Sequence, residues 1–328
     1  MRSSTRAALV ANRRLTGLSP HVLADLVVEL APQWHARHQA KLHDRPRVRA
    51  VGAGAKHKLA FVDRLLATLV QLRHGVTHDV LAAWYGVDRS TITRAIHEIR
   101  PLLAERGCAV EGGVRLRTLA DVVAYLGAVP QRAALDATDV QVRRPAAHRA
   151  GRGRFVSGAR LRHTLKALVV TDARGQLLFV GETRPGRVHD LTQVRSSGLV
   201  ELVEGRRDLE LLADKGYQGL QRQTDFAVRT PMPTRAKTRY PIRPETAAAH
   251  EQARFAHSRA RIRVARGAAE HGIAHLKNWR ALSRHLGRRE GLDEAVRAAA
   301  GLCSSQQRAD RPQRRSGERL ALPARCAA

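Results

Sequence analysis

Residues 161–182 read LRHTLKALVVTDARGQLLFVGE, and this stretch predicts a β-hairpin near the centre of the chain. Its two arms, Leu161–Thr171 and Gln176–Glu182, are rich in the β-branched and aliphatic residues that favour strands. Between them, Asp172–Gly175 forms a turn with glycine at the left-handed position. These residues therefore predict two adjacent antiparallel strands.

Two further strands are predicted on either side of this hairpin. Arg132–Val142 (RAALDATDVQV) precedes it, and Leu209–Ala213 follows it as a nearly continuous apolar run. Such a run is typical of a strand that is buried on both faces. Helix is predicted to return from about residue 245, so we assign residues 129–303 to one domain that is built on a sheet.

The residues before the sheet are predicted to be helical. Apolar residues recur every three or four positions in Ala24–Ala31, His57–Arg73 and Val76–Arg106. This spacing gives each segment one apolar face. We therefore assign residues 20–128 to a helical domain.

Three segments outside these elements lack such a pattern. His35–Lys58 is basic and contains proline and glycine, so it is predicted to be a loop or arm. Residues 1–19 are expected to be flexible. Residues 304–328 mix glutamine, arginine, serine and proline without periodicity and are predicted to be a disordered tail.

Residues 77–100 (THDVLAAWYGVDRSTITRAIHEIR) have the layout of a helix-turn-helix. Thr77 can cap a first helix, which Gly86 ends in the left-handed conformation. Asp88 or Ser90 then caps a second helix. An ordinary α-hairpin within a helical domain is the alternative.

The two helices are each predicted to have an inner and an outer face. The inner apolar residues are Val80, Leu81 and Trp84 in the first helix and Ile92, Ile96 and Ile99 in the second. Polar side chains near the start of the second helix can contact base edges and phosphates in a major groove. These candidate DNA-binding residues are Arg89, Ser90, Thr91, Thr93, Arg94 and His97.

The charge of the chain indicates a polyanionic partner. Lys and Arg total 58 against 29 Asp and Glu, which gives a formal net charge of +29. A GC-rich genome can replace lysine by arginine, but it does not explain the excess of basic over acidic residues. Nucleic acid is the first candidate partner, because a cationic surface releases counterions from phosphates. A membrane surface is the weaker candidate.

Composition also excludes several classes of protein. Hydrophobic residues make up 43% of the chain, enough for a sizeable core, and no apolar run is long enough for a transmembrane helix. The cysteines Cys108, Cys303 and Cys326 are far apart and form no CxxC pair, which argues against a disulfide scaffold and a zinc–thiolate site. The N-terminus lacks the apolar core of a secretory signal. We expect a cytoplasmic, nucleoid-associated bacterial protein.

Acidic residues stand at positions where a carboxylate needs a partner. Asp136 lies inside the first strand, and Asp214 ends the buried strand Leu209–Ala213. A buried carboxylate is costly unless it is paired or metal-bound. Glu270 lies in a helix and shares one face with Arg266 and Lys277. Glu270 alone could be part of a surface ion-pair ladder.

Other residues near these positions are weaker candidates. Asp139 is three residues after Asp136 and should point to the opposite face of the strand. Asp190 lies in the motif RVHDL and is predicted to have a structural role, such as capping the following helix, with a functional role as the alternative. His271 and His275 have the spacing of a zinc pair but lack the zincin glutamate, so zinc is not predicted. Tyr217 is expected to pack in or near the core, with stacking near the DNA end as the alternative.

The sequence resembles transposases of the IS5-like group, which have a DDE endonuclease domain. LDATDVQVRRP around Asp136, GETRPGRVHDL at residues 181–191, LLADKGYQG around Asp214 and EHGIAHLKNWRAL from Glu270 carry the resemblance. HGVTHDVLAAWYGVDRSTITRAI also resembles the N-terminal domain of that family. The resemblance implies an α+β protein: a helical helix-turn-helix domain followed by an RNase H-like mixed sheet that is flanked by helices.

The resemblance also implies a catalytic triad of Asp136, Asp214 and Glu270. These carboxylates would hold two Mg²⁺ ions, for which Mn²⁺ can substitute, and Lys277 and Arg266 would hold phosphates nearby. In the related signature Y-(2)-R-(3)-E-(6)-K, three positions match. The tyrosine position is Arg263 in this sequence, which removes a tyrosine contact but no metal ligand.

The function that the resemblance implies is DNA transposition. The helix-turn-helix would bind the terminal inverted repeats of a mobile element, and the catalytic domain would hydrolyse the phosphodiester at the element end and join the new 3′-hydroxyl to target DNA. Two ends must be brought together, so we expect at least a homodimer on double-stranded DNA. The alternative is a non-catalytic helix-turn-helix regulator or an inactive transposase remnant.

Overall fold

The structure is a computed structural model that describes most of the chain. It covers residues 8, 10–43, 57–129, 131–158, 160–231 and 249–311. Most of the predicted arm after residue 43 and the tail after residue 311 lie outside the described residues. No helix within these ranges is long and apolar enough to cross a membrane.

The N-terminal region is helical, as predicted. Its helices are α1 (Arg13–Thr16), α2 (Pro20–His43), α3 (Phe61–His74), α4 (His78–Tyr85), α5 (Arg89–Glu105) and α6 (Leu119–Ala128). A two-stranded ribbon of β1 (Cys108–Ala109) and β2 (Arg115–Leu116) lies between α5 and α6. Apolar residues from α2 to α5 are buried in one cluster, which gives this region its core.

Part of the sequence predicted to be a loop or flexible is helical, so those predictions are wrong there. Helix α2 continues through residues 35–43 of the predicted arm, because buried Trp34 extends its packed face beyond Ala31 and Arg37 forms an ion pair with Glu105 of α5. Within residues 1–19, Asn12 caps helix α1, and Arg13 forms an ion pair with Asp310. Residues 1–7 lie outside the described part of the chain.

The helix-turn-helix begins and turns at the predicted residues, and its second helix continues beyond residue 100 to Glu105. The hydroxyl of Thr77 accepts a hydrogen bond from the Val80 amide, and Gly86 adopts the left-handed conformation with φ of 64°. Asp88, and not Ser90, caps α5, because its carboxylate accepts a hydrogen bond of 2.7 Å from the Ser90 amide.

The buried face of α4 differs from the prediction. Leu81, Ala82 and Tyr85 are buried, whereas Val80 is 55% and Trp84 is 41% exposed. Positions 80 and 84 have the same four-residue spacing as positions 81 and 85, so periodicity alone does not choose between these two faces. In α5 the predicted inner residues are all buried: Ile92, Ile96 and Ile99.

The main sheet has the mixed strand order of an RNase H-like fold. Its strands are β3 (Ala133–Val142), β4 (Thr164–Asp172), β5 (Leu177–Pro185), β6 (Leu211–Ala213), β7 (Val228–Arg229) and β8 (Arg284–His285). The order is β5-β4-β3-β6-β7, with β8 beside the end of β3. Strands β3, β4 and β5 are antiparallel neighbours, and β6 and β7 continue the sheet in parallel. The predicted hairpin joins β4 to β5, and Gly175 has φ of 80° at its turn.

Helices cover both faces of this sheet. On one face, α6, α7 (Asp190–Arg195) and α8 (Leu199–Val203) pack against alternate residues of β3 and β4. On the other, α10 (Ala249–Lys277) contacts β3, β4 and β6, and α11 (Leu292–Ala309) packs on β5. The short helix α9 (Leu220–Gln223) contacts β7. A mixed sheet flanked by helices is therefore confirmed.

The C-terminal helix α11 also packs on α5 of the N-terminal region. Its residues belong to the same apolar cluster as those of α2 to α5 and one face of the sheet. The first residues of the predicted disordered tail form the end of this helix. Ser304 is buried and its hydroxyl accepts a hydrogen bond of 2.8 Å from the Ala109 amide, so disorder is wrong for residues 304–309.

Candidate active site

The candidate active site lies where the short strand β6 ends beside the longer parallel strand β3. Strands β3 and β6 pair in register, with Leu135 opposite Ala213. The next residue of each chain segment is an aspartate, Asp136 in β3 and Asp214 after β6. Parallel pairing therefore brings these two carboxylates, 78 positions apart in the sequence, to the same edge of the sheet.

Asp136 is partly buried at this edge. Its Oδ1 accepts a hydrogen bond of 2.7 Å from the Ala137 amide. Burial raises the pKa of Asp136 to about 6, and the negative charges of Asp214 and Asp190 act in the same direction. A cation at this place would relieve the unfavourable charge that the metal-free protein carries here.

Asp214 begins the short 3₁₀ turn Lys215–Tyr217 and caps it. Its Oδ1 accepts a hydrogen bond of 2.8 Å from the Gly216 amide. The hydrogen bond fixes one oxygen of the carboxylate at the strand end. Asp214 and Asp136 therefore have fixed side chains on adjacent strands.

Asp190 also faces this edge, although a capping role was the expectation for it. His189 is the residue that caps α7, and Asp190 is the first residue inside that helix. The Lys166 ammonium on β4 donates a hydrogen bond of 2.7 Å to Asp190 Oδ1. Asp139 points to the opposite face, as predicted, where its Oδ1 accepts a hydrogen bond of 2.9 Å from Thr164.

Glu270 lies on α10 and is paired within its own helix. The Arg266 guanidinium donates a hydrogen bond of 2.8 Å to Glu270, and the glutamate side chain is 56% exposed. Glu270 raises the pKa of Arg266 most strongly, and Asp214 and Asp136 raise it further. Arg266 therefore lies within electrostatic reach of both Glu270 and the two aspartates.

The three predicted triad residues do not form a compact ligand cluster. Within the part of the chain that the structure describes, no group of three acidic, histidine or cysteine side chains is close enough to hold a metal ion directly. Lys277 is half-buried at the end of α10, and this burial lowers its pKa, while Asp139 and Asp136 partly oppose the shift. His271 and His275 contact each other through Nε2 atoms 3.0 Å apart.

A basic groove opens beside Asp214. It has a volume of about 680 Å³ and lies between the 3₁₀ turn and α10. Its charged lining consists of Asp214, Lys215, Arg259, Arg263 and Arg266. Arg259 and Lys215 were not predicted as site residues, although the spacing of positions 259, 263 and 266 places Arg259 on the same helical face as Arg263 and Arg266. Arg263, at the expected tyrosine position, lines this groove.

The predicted DNA-binding side chains differ in their availability. Arg89, Ser90, Arg94 and His97 are exposed, and the Arg94 guanidinium donates a hydrogen bond of 3.2 Å to the Ser90 hydroxyl. Thr91 and Thr93 are half-buried.

Thr93 is also engaged within the helix-turn-helix. Its hydroxyl donates a hydrogen bond of 3.1 Å to the Arg89 carbonyl and lies 2.9 Å from Nδ1 of His78. Arg89 is in turn 3.3 Å from Asp79 in an exposed ion pair. If Arg89 or Thr93 binds DNA, its contacts within the helix-turn-helix must first break.

The second half of the chain matches a known protein family. The family model described as DDE superfamily endonuclease matches residues 135–304, about half of the chain. The chain belongs to the DDE superfamily of endonucleases. A second model, the helix-turn-helix of DDE superfamily endonuclease, matches residues 57–109 and confirms this DNA-binding module. The residues that match the DDE endonuclease model include Asp136, Asp214 and Glu270.

Solved structures resemble this DDE superfamily member only at low sequence identity. No curated protein matches it. A pre-cleavage Mos1 transpososome is 11% identical, with 86% of each chain covered and a TM-score of 0.22. A Mos1 transposase paired-end complex with left transposon end is 10% identical, with 84% of this chain and 88% of the other covered and a TM-score of 0.18. TM-scores this low do not establish a shared fold.

Proposed function

We propose that this DDE superfamily endonuclease is a DNA transposase. It would bind the terminal inverted repeats of a mobile element, hydrolyse the phosphodiester at each end and transfer the resulting 3′-hydroxyl to target DNA. The observation that carries the proposal is the pair Asp136, inside β3, and Asp214, directly after the adjacent parallel strand β6, beside a basic groove.

The carboxylates of Asp136 and Asp214 fit a divalent metal site. The donor set consists of carboxylate oxygens, which are the ligands that Mg²⁺ prefers. The buried hydroxyl of Tyr217 beside them has no hydrogen-bond partner among the described residues, which is consistent with a missing polar group. Asp136 and Asp214 would hold the metal, which would activate a water or 3′-hydroxyl and stabilise the departing alkoxide. Mg²⁺ is the proposed ion, and Mn²⁺ can substitute.

Glu270 is the proposed third ligand of the triad. To reach the aspartates it would have to leave Arg266, whose guanidinium would then be available to a DNA phosphate. Lys277 would hold a second phosphate. The side chains of Arg266 and Glu270 are 63% and 56% exposed, so both can change rotamer without disturbing a core contact.

The helix-turn-helix is the proposed reader of the terminal repeats. The exposed start of α5 would enter the major groove, with Arg89, Ser90, Arg94 and His97 as the outward side chains. The two half-buried threonines, Thr91 and Thr93, would contribute less. Transposition joins two ends, so the proposed active form is a homodimer or larger assembly on DNA.

The second candidate function is a DNA-binding regulator that has lost catalysis. The ion pair between Arg266 and Glu270 favours this alternative, because it holds the third carboxylate away from the other two. Such a protein would keep the helix-turn-helix and bind DNA without cutting it.

The test is a reaction with DNA that carries the native flanks of the gene. The full chain is incubated with this DNA in Mg²⁺, in parallel with a chelator and with shuffled flanks. A transposase gives a 3′-hydroxyl at the element end and joined strands, only in Mg²⁺ and only with native flanks. Binding to the native flanks without cleavage favours the regulator.

A further inference from the structure

Tyr217 is the buried polar side chain that the proposed triad leaves unexplained. Its side chain is only 1% exposed, and its hydroxyl has no hydrogen-bond partner among the residues that the structure describes. Leaving a buried hydroxyl unpaired is unfavourable, so a native protein usually provides a partner or an ordered water. Tyr217 lies in the short 3₁₀ turn that Asp214 caps. Burial raises the pKa of Tyr217, and the negative charges of Asp190, Asp136 and Asp214 act in the same direction.

These three carboxylates share a pattern of hydrogen bonding. In each, Oδ1 accepts one hydrogen bond, from the Ala137 amide to Asp136, from the Gly216 amide to Asp214 and from the Lys166 ammonium to Asp190. The structure gives Oδ2 of each no hydrogen-bond donor within the described ranges. One oxygen of each carboxylate is therefore fixed, and the other is available to a ligand.

The absence of a side chain at Gly216 keeps space open between two of them. A Cβ at this position would lie 3.0 Å from Asp214 Oδ1 and 3.9 Å from Asp190 Oδ2. The two carboxylates therefore border the same small volume. Asp190 reaches it from α7, a segment that contributes nothing to the predicted triad.

We propose that Asp190 and Tyr217 complete the divalent-cation site by binding a water molecule that the cation coordinates. A coordinated water can donate two hydrogen bonds. The free oxygen of Asp190 and the hydroxyl oxygen of Tyr217 are the two acceptors. This inference rests on the proposed function only in taking Asp136 and Asp214 as the direct ligands.

Contact through water agrees with the spacing of the side chains. The described carboxylates are too far apart for three of them to bind one ion directly. Mg²⁺ and Mn²⁺ sites of this kind are bound by one or two carboxylates and keep several waters. Groups that hold such waters still affect metal affinity by about 10- to 100-fold. Lys166 keeps Asp190 in place, because its ammonium holds the other oxygen.

The test measures Mn²⁺ binding directly, by calorimetry and by electron paramagnetic resonance of the free ion, without DNA. Asp190→Asn keeps an amide oxygen as acceptor for Lys166 but removes the charge and the second oxygen. Tyr217→Phe removes only the hydroxyl. The matched controls are Asp208→Asn, at an exposed ion pair, and Tyr125→Phe, in the apolar cluster on the same face of the sheet.

The proposal predicts a change in metal affinity without a loss of folding. Asp190→Asn and Tyr217→Phe should each weaken Mn²⁺ binding about tenfold or more, and both controls should bind as the wild type does. Without metal, Tyr217→Phe should unfold at the wild-type temperature or above it, because it removes an unpaired buried hydroxyl. Wild-type Mn²⁺ affinity in either Asp190→Asn or Tyr217→Phe overturns the proposal.

The same series separates this proposal from the proposed function. If Asp136→Asn and Asp214→Asn lose Mn²⁺ binding while Asp190→Asn and Tyr217→Phe keep it, only the role of Asp190 and Tyr217 is overturned. If the wild-type chain binds no Mn²⁺, the direct-ligand assignment and the water-mediated contact are both overturned.

Discussion

The helix-turn-helix and the carboxylate edge are assembled in different ways. Most outward side chains of the helix-turn-helix belong to one turn and a half of α5, so neighbouring residues in the sequence form the surface. The carboxylate edge takes Asp136, Asp190 and Asp214 from three separated segments. The proposed DNA-reading surface therefore depends on one helix, whereas the candidate active site depends on the pairing of β3 with β6.

The largest expected effect concerns the carboxylate edge alone. Asp214→Asn and Glu270→Gln should each lower the rate of end cleavage in Mg²⁺ about a thousandfold, because each removes a proposed metal ligand. Gel-shift affinity for the native end should stay unchanged. Asp208→Asn is the control for an exposed acid. Cleavage that survives Glu270→Gln would remove this residue from the triad.

The next prediction concerns a substitution that should destabilise the helix-turn-helix and leave the carboxylate edge unchanged. Ile96→Ala removes a side chain that is 1% exposed and should lower the free energy of unfolding by about 2–5 kcal/mol. The loss arises from the cavity and the missing burial. Chemical denaturation measures it. An effect below about 0.5 kcal/mol, as expected for a surface position, would contradict the burial of this face of α5.

The pH dependence of stability should show the burial of Asp136 at the carboxylate edge, to which the charges of Asp214 and Asp190 add. The pKa of Asp136 is raised from 3.8 to about 6 in the folded, metal-free protein, so the folded state binds this proton more tightly than the unfolded state. The wild type therefore loses stability as the pH rises from about 4 through 6, whereas the amide side chain of the Asp136→Asn variant cannot ionise.

Relative to the wild type, Asp136→Asn should gain about 1–3 kcal/mol in free energy of unfolding between pH 4 and pH 8. Denaturation in a chelator at several pH values measures this difference. A difference that is the same at every pH contradicts the raised pKa.

A comparable loss is expected at the DNA-reading surface. Arg94→Ala should weaken binding to the native end by about 1–3 kcal/mol, because it removes an exposed arginine from the start of α5. Mn²⁺ affinity should not change. Arg206→Ala, remote from both regions, is the control in the same titration. Equal losses of DNA affinity for Arg94→Ala and Arg206→Ala would show that binding depends only on the net charge of the protein.

The smallest effect should come from the outer face of α4. Val80→Ser should change the free energy of unfolding by less than about 0.5 kcal/mol, because this side chain is 55% exposed. Leu81→Ser is the matched comparison, since Leu81 is fully buried one position later. A large loss for Val80→Ser would contradict the exposure of this side chain on the outer face of α4.

Local patterns predicted much of the fold. The caps Thr77 and Asp88 and the left-handed Gly86 and Gly175 act within a few residues, so the sequence shows them directly. The inner face of α4 was misplaced because Val80 and Leu81 both start an apolar pair with four-residue spacing. Only packing against the neighbouring helices selects between them.

The candidate site was less accessible to the sequence. Asp136 and Asp214 could be identified because each lies at a recognisable strand position. Asp190 and its partner Lys166 could not, because their meeting depends on where α7 starts relative to β4. The unpaired hydroxyl of Tyr217 likewise appears only once the side chains surround it. The ion pair of Glu270 with Arg266 was visible as helical spacing, but its competition with metal binding was not.

The most direct test of the account compares two aspartates of one strand. Asp136 and Asp139 lie on opposite faces of β3, so Asp136→Asn and Asp139→Asn change the same charge three residues apart. We predict that cleavage of native-end DNA in Mg²⁺ falls about a thousandfold for Asp136→Asn and less than about tenfold for Asp139→Asn. Cleavage retained by Asp136→Asn, or lost equally in both variants, would contradict a catalytic site where β6 ends beside β3.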